Sequence, residues 1–167
     1  MVDYTKRPPD YFGDIKKYGH FGEDLFLEKF SSSMNIVDVR ENKSYQRDDI
    51  DFLVARENRK YLSVDVKVDT VALKTGNLAF EVVSHSSSGW AMVTKADYIF
   101  IVLADETNWV LTPKVGYWLD MQAWRGYCAD RANKKTINTV VSEGIVDLLC
   151  PITLLKEKEI IKKEVFF

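Results

Sequence analysis

RDDIDFLVARENRKYLSVDVK, residues 47–67, reads as two short strands joined by a polar turn. Ile50, Phe52 and Val54 alternate with Asp51, Leu53 and Ala55. After the polar residues 56–60 the alternation resumes, with Leu62, Val64, Val66 and Val68 on one face and Tyr61, Ser63, Asp65 and Lys67 on the other. Side chains of a strand repeat every second residue, so Asp65 and Lys67 point the same way. Asp51 also lies in an apolar run. Two acids and one base are therefore expected to meet near one edge of a sheet.

Such a group has a chemical use. Two carboxylates supply hard oxygen ligands for a divalent cation such as Mg²⁺, which keeps several waters and accepts phosphate oxygens. The cation lowers the pKa of a bound water and neutralises charge developing on a phosphate. A lysine on the same face can hold that water or stabilise the charged phosphorus centre. The bland reading is a surface hairpin with an Asp–Lys pair, which is worth almost nothing energetically.

The arrangement D-I-D-F-L-V followed by L-S-V-D-V-K resembles the PD-(D/E)xK nuclease superfamily, of the restriction-endonuclease-like and Holliday-junction-resolvase-like kind. The matching positions are Asp51, Asp65 and Lys67; Ile50 stands where a proline is common, and Asp65 where glutamate is more frequent. The resemblance implies an α/β fold, a mixed central β-sheet flanked by helices in the order αβββαβ, with a C-terminal extension. It implies an endonuclease that hydrolyses DNA phosphodiester bonds with Mg²⁺, with Mn²⁺ able to substitute. In that reading Asp51, Asp65 and Glu81 hold the metal, with the carbonyl of Val66 available. Glu23 assists from the first helix, and Lys67 orients or activates the attacking water. A homodimer that cuts two strands is an expectation from the resemblance alone.

The remaining chain is read around that stretch. Residues 1–18 suggest an irregular arm. Phe21, Leu25, Phe26 and Phe30 make an apolar stripe at helical spacing, so residues 21–30 are expected to form a helix. Glu23 on it is the candidate acid, against the alternative of a solvent-facing side chain; Glu28 competes with it. Residues 35–40 read as a first strand. Asp49 shares the parity of Asp51 and competes with it. Residues 78–84, LAFEVVS, read as another strand in which Glu81 interrupts an apolar run. A buried carboxylate needs Lys67, another base or a metal; an edge strand would let Glu81 reach solvent instead.

Ser84 opens a flexible loop that ends at Trp90, and Lys95 follows. These three are the candidate nucleic-acid contacts, set against a plain loop, a core tryptophan and a surface lysine. Residues 97–103, DYIFIVL, read as a strand covered on both faces. Residues 108–111 suggest one more strand, and Thr112-Pro113 a helix of about a dozen residues, with proline in its first turn. Residues 125–135 suggest a basic loop, 139–146 a strand with a turn at Glu143-Gly144, and 154–167 a final helix or strand.

A chain of 167 residues is long enough for one well-buried core, so residues 1–167 are read as a single nuclease-like domain with its core at roughly 20–125. Its net charge of −2 excludes a generally basic nucleic-acid coat. No apolar run approaches the ~20 residues that span a bilayer, so no membrane partner is expected and a cytoplasmic location is the default. Cys128 and Cys150 offer neither a disulfide framework nor zinc spacing. Two rivals stand beside the nuclease. One is a non-catalytic nucleic-acid-binding or interaction module that keeps the fold; the other is a metal-free hydrolase using His85 or His20.

Overall fold

Strand β6 (Tyr98–Thr107) is buried over most of its length and pairs on both sides, so the fold is described outward from it. The computed structural model describes residues 11–55, 59–85, 87–130, 137–142 and 144–167. In chain order the elements before β6 are α1 (Tyr11–Phe30), β1 (Asn35–Asp38), α2 (Lys43–Gln46), β2 (Phe52–Ala55), β3 (Leu62–Asp69), α3 (Ala72–Thr75), β4 (Asn77–Ser84), β5 (Ser87–Ser88) and α4 (Trp90–Val93). After it come β7 (Val110–Asp120), α5 (Met121–Ala129), β8 (Asn138–Ser142), β9 (Ile145–Pro151), α6 (Ile152–Glu157) and β10 (Ile161–Phe166).

The central sheet has the order β1-β2-β3-β6-β7-β10. Only β3 and β6 run parallel; the other neighbours are antiparallel. The expected mixed sheet with flanking helices is therefore present, with α1 followed by three meandering strands and a parallel fourth. The connection from β3 to β6 is not one helix. It holds the single turns α3 and α4 and the strands β4 and β5, which leave the central sheet and join β8 and β9 in a second one, ordered β5-β4-β9-β8.

The alternation of β6 builds two cores. Phe100 and Val102 face α1 and pack with Phe26, Phe30, Phe52, Val64, Val66 and Trp118. Phe26 is stacked on Phe52 at 5.1 Å and meets Phe100 edge-on at 5.4 Å. Ile99, Ile101 and Leu103 face the other way and pack with Leu78 and Phe80 of β4, Cys150 of β9 and Trp124 of α5. The second sheet thus shares a core with the central one.

Two expectations are corrected. The helix predicted to open at Thr112-Pro113 is a strand, β7, and the helix begins only at Met121. Proline fits there because the β6–β7 ladder slips between Leu103 and Ala104, beside Pro113, and bulges tolerate proline in a sheet. Asp120 supplies the true helix start, accepting hydrogen bonds from the backbone N–H groups of Gln122 and Ala123. The amino-terminal arm is helical from Tyr11 onward, with residues 1–10 outside those described. Residues 154–167 hold both alternatives, the end of α6 and then β10. Of the predicted basic loop, residues 131–136 lie outside the described residues, as does Glu143 at the predicted turn.

Candidate functional site

The site forms where β2 and β3 part. Their ladder ends at the pair Phe52–Val64. Asp51, the residue before β2, donates its backbone N–H to the Val64 carbonyl at 2.9 Å. Its side chain then takes the next rung, with Oδ2 accepting from the Val66 N–H at 2.8 Å. The carboxylate stands in for a strand at the fork, which explains an acid inside an apolar run.

Val64 and Val66 face α1, so the intervening Asp65 and the following Lys67 project to the other side of β3, as their alternation predicts. Asp65 is only 2% exposed. Lys67 Nζ donates to Asp65 Oδ1 at 2.9 Å and stands 2.8 Å from Oδ2. The second contact is an ion pair without hydrogen-bond alignment, and among the described residues Oδ2 has no hydrogen-bond partner. Lys67 keeps a third of its side chain exposed and lies 5.8 Å from the centre of the Trp90 ring.

Burial pushes the Asp65 carboxyl up to about 7; Lys67 pulls against that rise and the Asp51 charge adds to it. Burial also raises Asp51, opposed by the Val66 N–H and by Lys67, while the Glu23 charge adds to the rise. For Lys67, burial works against the charge, but the Asp65 carboxylate, with Asp51 and Asp49 behind it, outweighs burial and leaves the pKa above its ordinary value.

These groups share a cleft of about 520 Å³. Asp51, Asp65, Lys67, Glu23 and Asp49 all line it, together with Arg40. Glu23 reaches it from α1 because the helix lies close on β3: a Cβ on Gly22 would stand 2.7 Å from Val68 Cγ2 and 3.2 Å from Val66 Cγ1. Arg40 was missed as a site residue. Its guanidinium holds Glu23 Oε2 at 2.6 Å and Asp38 Oδ2 at 2.6 Å, and covers the Phe52 ring at 5.1 Å. Nothing in its local pattern separated it from a solvated charge at a strand end.

Glu81 is a correction. It lies in β4 of the second sheet, opposite Asp147, and does not line the cleft. Its acid-in-an-apolar-run signal was real, but alternation says nothing about which sheet a strand joins. Ser84 ends β4, where its carbonyl accepts from Ser87. Trp90 packs on Phe80 at 5.7 Å as well as facing Lys67. Lys95 is paired with Asp48 at 2.7 Å. Glu28 is exposed, and His85 lies outside the cleft, whereas His20 lines it. Among the described residues no three His, Cys, Asp or Glu side chains form a ready-made ion cage. No described helix is long and apolar enough to cross a membrane.

No protein-family model matches the sequence, and no curated protein is similar to it. Among solved structures, a nuclease from a fusselovirus is similar at 15% identity, over 93% of this chain and 92% of that one, with a TM-score of 0.39. A likeness that distant carries no correspondence of residues.

Proposed function

We propose that this chain is a metal-dependent nuclease that hydrolyses DNA phosphodiester bonds in the cleft at the β2–β3 fork. The observation that carries the reading is the meeting of two carboxyls from adjoining strands, one of them fully buried, beside a lysine whose charge they hold. A structural ion pair needs neither the second acid nor the burial.

The donor set suits a hard divalent cation. It offers carboxylate oxygens, one of them buried without a hydrogen-bond partner, and two acids whose mutual repulsion when both ionise such a cation relieves. Asp51 and Asp65 would hold Mg²⁺ or Mn²⁺, with the Val66 carbonyl beside them and Glu23 acting through water. Bound there, the ion supplies charge neutralisation at the phosphate and a more acidic water. Lys67, charged and partly open to solvent, orients the attacking water and faces the negative charge that builds on phosphorus. Arg40 fixes Glu23 at the rim, and Trp90 gives the Lys67 side an apolar wall against which a base or sugar can lie. A homodimer offering one cleft to each strand extends the proposal; a monomer that cuts both strands would remove that extension.

One observation favours a second reading, a module that binds nucleic acid without cutting it. The Lys67 ammonium is already engaged by Asp65. Supercoiled plasmid, linear and branched DNA, and RNA, each incubated with Mg²⁺, Mn²⁺ or EDTA, separate the two. Metal-dependent nicking that disappears in Asp65→Ala and Lys67→Ala supports the nuclease. Binding without cleavage in any metal supports the module, and cleavage in EDTA sinks the metal-dependent mechanism.

A further inference from the structure

The β6–β7 hairpin outruns the central sheet. β3 ends at Asp69, opposite Leu103, and β10 ends at Phe166, opposite Val115. Beyond those pairs β6 and β7 continue as a two-stranded ribbon closed by the pair Thr107–Val110, with no third strand beside it among the described residues. Asn108 and Trp109 make the turn, and both are left-handed, at φ 49° and 66°. A two-residue turn of this kind matches the twist of its strands and favours Asn-Gly. Asn108 meets that preference and Trp109 does not. A bulky side chain at positive φ is strained, and such strain gathers where function requires it.

The same residue is left in water, with Trp109 48% exposed. Glycine in its place would avoid both costs, so neither turn chemistry nor packing accounts for the tryptophan. Within the hairpin the other exposed large apolar side chain is Val110. Two residues make far less than the broad apolar patch of a protein-docking surface. A ring presented at the end of an arm suits a flat partner instead.

α1 ties the turn to the cleft at the fork. Lys17 donates to the Trp109 carbonyl, and its ammonium lies 6.0 Å from the centre of the indole ring. Further along the same helix His20 and Glu23 line the cleft. Six residues of helix rise about 9 Å, so Lys17 and Glu23 stand that far apart along the axis. The acids of the ribbon are already paired. Glu106 accepts from the Tyr18 hydroxyl at 2.9 Å and faces Lys17 at 3.6 Å, and Asp105 faces Lys114 at 3.9 Å. Stacking of a base on an aromatic ring tolerates any sequence, because every base has a π-face, and a nearby cation adds to it. It needs a base whose face is free. Continuous duplex hides those faces in its own stack, whereas single strands and branch points offer them.

We propose that Trp109 is a stacking wedge for an unpaired base, and that the neighbouring cleft accordingly takes single-stranded or branched DNA in preference to continuous duplex. The inference rests on the nuclease reading of that cleft and adds the class of substrate.

The test uses the full chain in EDTA, so that binding is read without cleavage. The probes are a fluorophore-labelled oligothymidylate, a three-way DNA branch and a blunt duplex, followed by anisotropy. Wild type should bind the first two about tenfold more tightly than the third. Trp109→Gly gives the turn the residue it favours, so its Tm should hold or rise, while binding of the oligothymidylate and the branch weakens about tenfold or more. Trp109→Phe keeps a stacking ring and should stay within about threefold of wild type. The blunt duplex should bind all three proteins alike. No preference for the unpaired probes overturns the proposal, as does equal weakening of every probe in Trp109→Gly. A lower Tm in Trp109→Gly with unchanged binding also overturns it, because the ring would then be a structural plug. Plasmid nicking in Mg²⁺ separates this result from the nuclease reading. Nicking by wild type together with Trp109-independent binding removes the wedge and leaves the nuclease. Binding that depends on Trp109, in a protein that nicks in no metal, supports the wedge and sinks the nuclease.

Discussion

Strand β3 lends side chains to two clefts built on opposite plans. At its start, Leu62 joins Tyr98 and Trp118 in the floor of an apolar cleft with Lys60 and Lys163 at its rim, where long side chains keep their charges in water and their stems on the protein. Further along, Asp65 carries its charge 2% exposed into the sheet. The first plan costs the fold little. The second costs it a desolvated carboxylate, which an apolar residue at the same position would avoid. The contrast teaches where to look for chemistry: an acid retained at a buried position against its own solvation is there for something packing does not supply, whereas exposed cations round an apolar floor carry no such cost.

The largest expected effect separates the clefts by activity. Asp65→Ala or Lys67→Ala should lower plasmid nicking by about 10²–10³-fold, the usual cost of removing one preorganised charge from such a centre. Lys60→Glu/Lys163→Glu should leave nicking within about threefold. Equal losses from both changes would erase the distinction and place substrate across both clefts.

Next is the pH dependence of folding in EDTA. The unfolded chain gives up the Asp65 proton near pH 3.8, while the folded chain keeps it until about 7. Stability from this group is therefore complete below pH 3.8 and declines as pH rises through 7, beyond which the loss is constant. Asp51 is shifted in the same direction. Urea unfolding should show wild-type stability falling by roughly 2–4 kcal/mol between pH 4 and 8, relative to Asp65→Asn. Parallel curves for the two proteins would mean that Asp65 is not the strained group. The second cleft should add nothing to this slope, since no acid among the described residues lines it.

How much of this was legible beforehand differs between the two regions for a physical reason. Asp51, Asp65 and Lys67 lie within one hairpin, where alternation alone fixes which way each side chain points, and the structure brings them together. Glu23 lines the cleft as well, but only the family resemblance pointed to an acid from the first helix; the stripe of phenylalanines shows which side of α1 rests on the sheet and leaves a solvent-facing Glu23 open. Glu81 gave the same kind of signal as Asp51, yet its strand crosses into the second sheet, and no local pattern records that crossing. The strand at Val110–Asp120 was hidden behind a proline that reads as a helix start until the bulge opposite Leu103 and Ala104 is known. The second cleft was invisible because Lys60 and Lys163 meet only through the register of β10 on β7.

A smaller effect tests how α1 carries Glu23 to the fork. Gly22→Ala puts a methyl 2.7 Å from Val68 Cγ2, which overpacks the helix–sheet contact at a cost of about 1–3 kcal/mol. Gly19, one turn earlier, has nothing closer than Glu23 Oε1 at 3.8 Å. Gly19→Ala should therefore stabilise by up to about 1 kcal/mol through helix propensity. Opposite signs in thermal unfolding support the close approach. A gain at both positions would mean that α1 rides higher on β3, with Glu23 withdrawn from the cleft.

Arg40 is the smallest and most specific case. It lines the cleft and bridges Glu23 and Asp38, but no hydrogen bond or ion pair joins it to Asp65 or Lys67 among the described residues, so its link to the acids of the fork runs through Glu23. Arg40→Met keeps an apolar body over Phe52 and frees the glutamate from its partner. If Glu23 assists the cation through water, the Mg²⁺ concentration for half-maximal nicking should rise about two- to fivefold, less than 1 kcal/mol, with the rate at saturating Mg²⁺ nearly unchanged. Glu23→Gln should reproduce that pattern, and adding Arg40→Met to it should do nothing further, because the only route from Arg40 to the cation is already cut. Additive losses in the double variant would show that Arg40 meets the substrate directly, which would move the basic side of the site from Lys67 alone to the α1 rim as well.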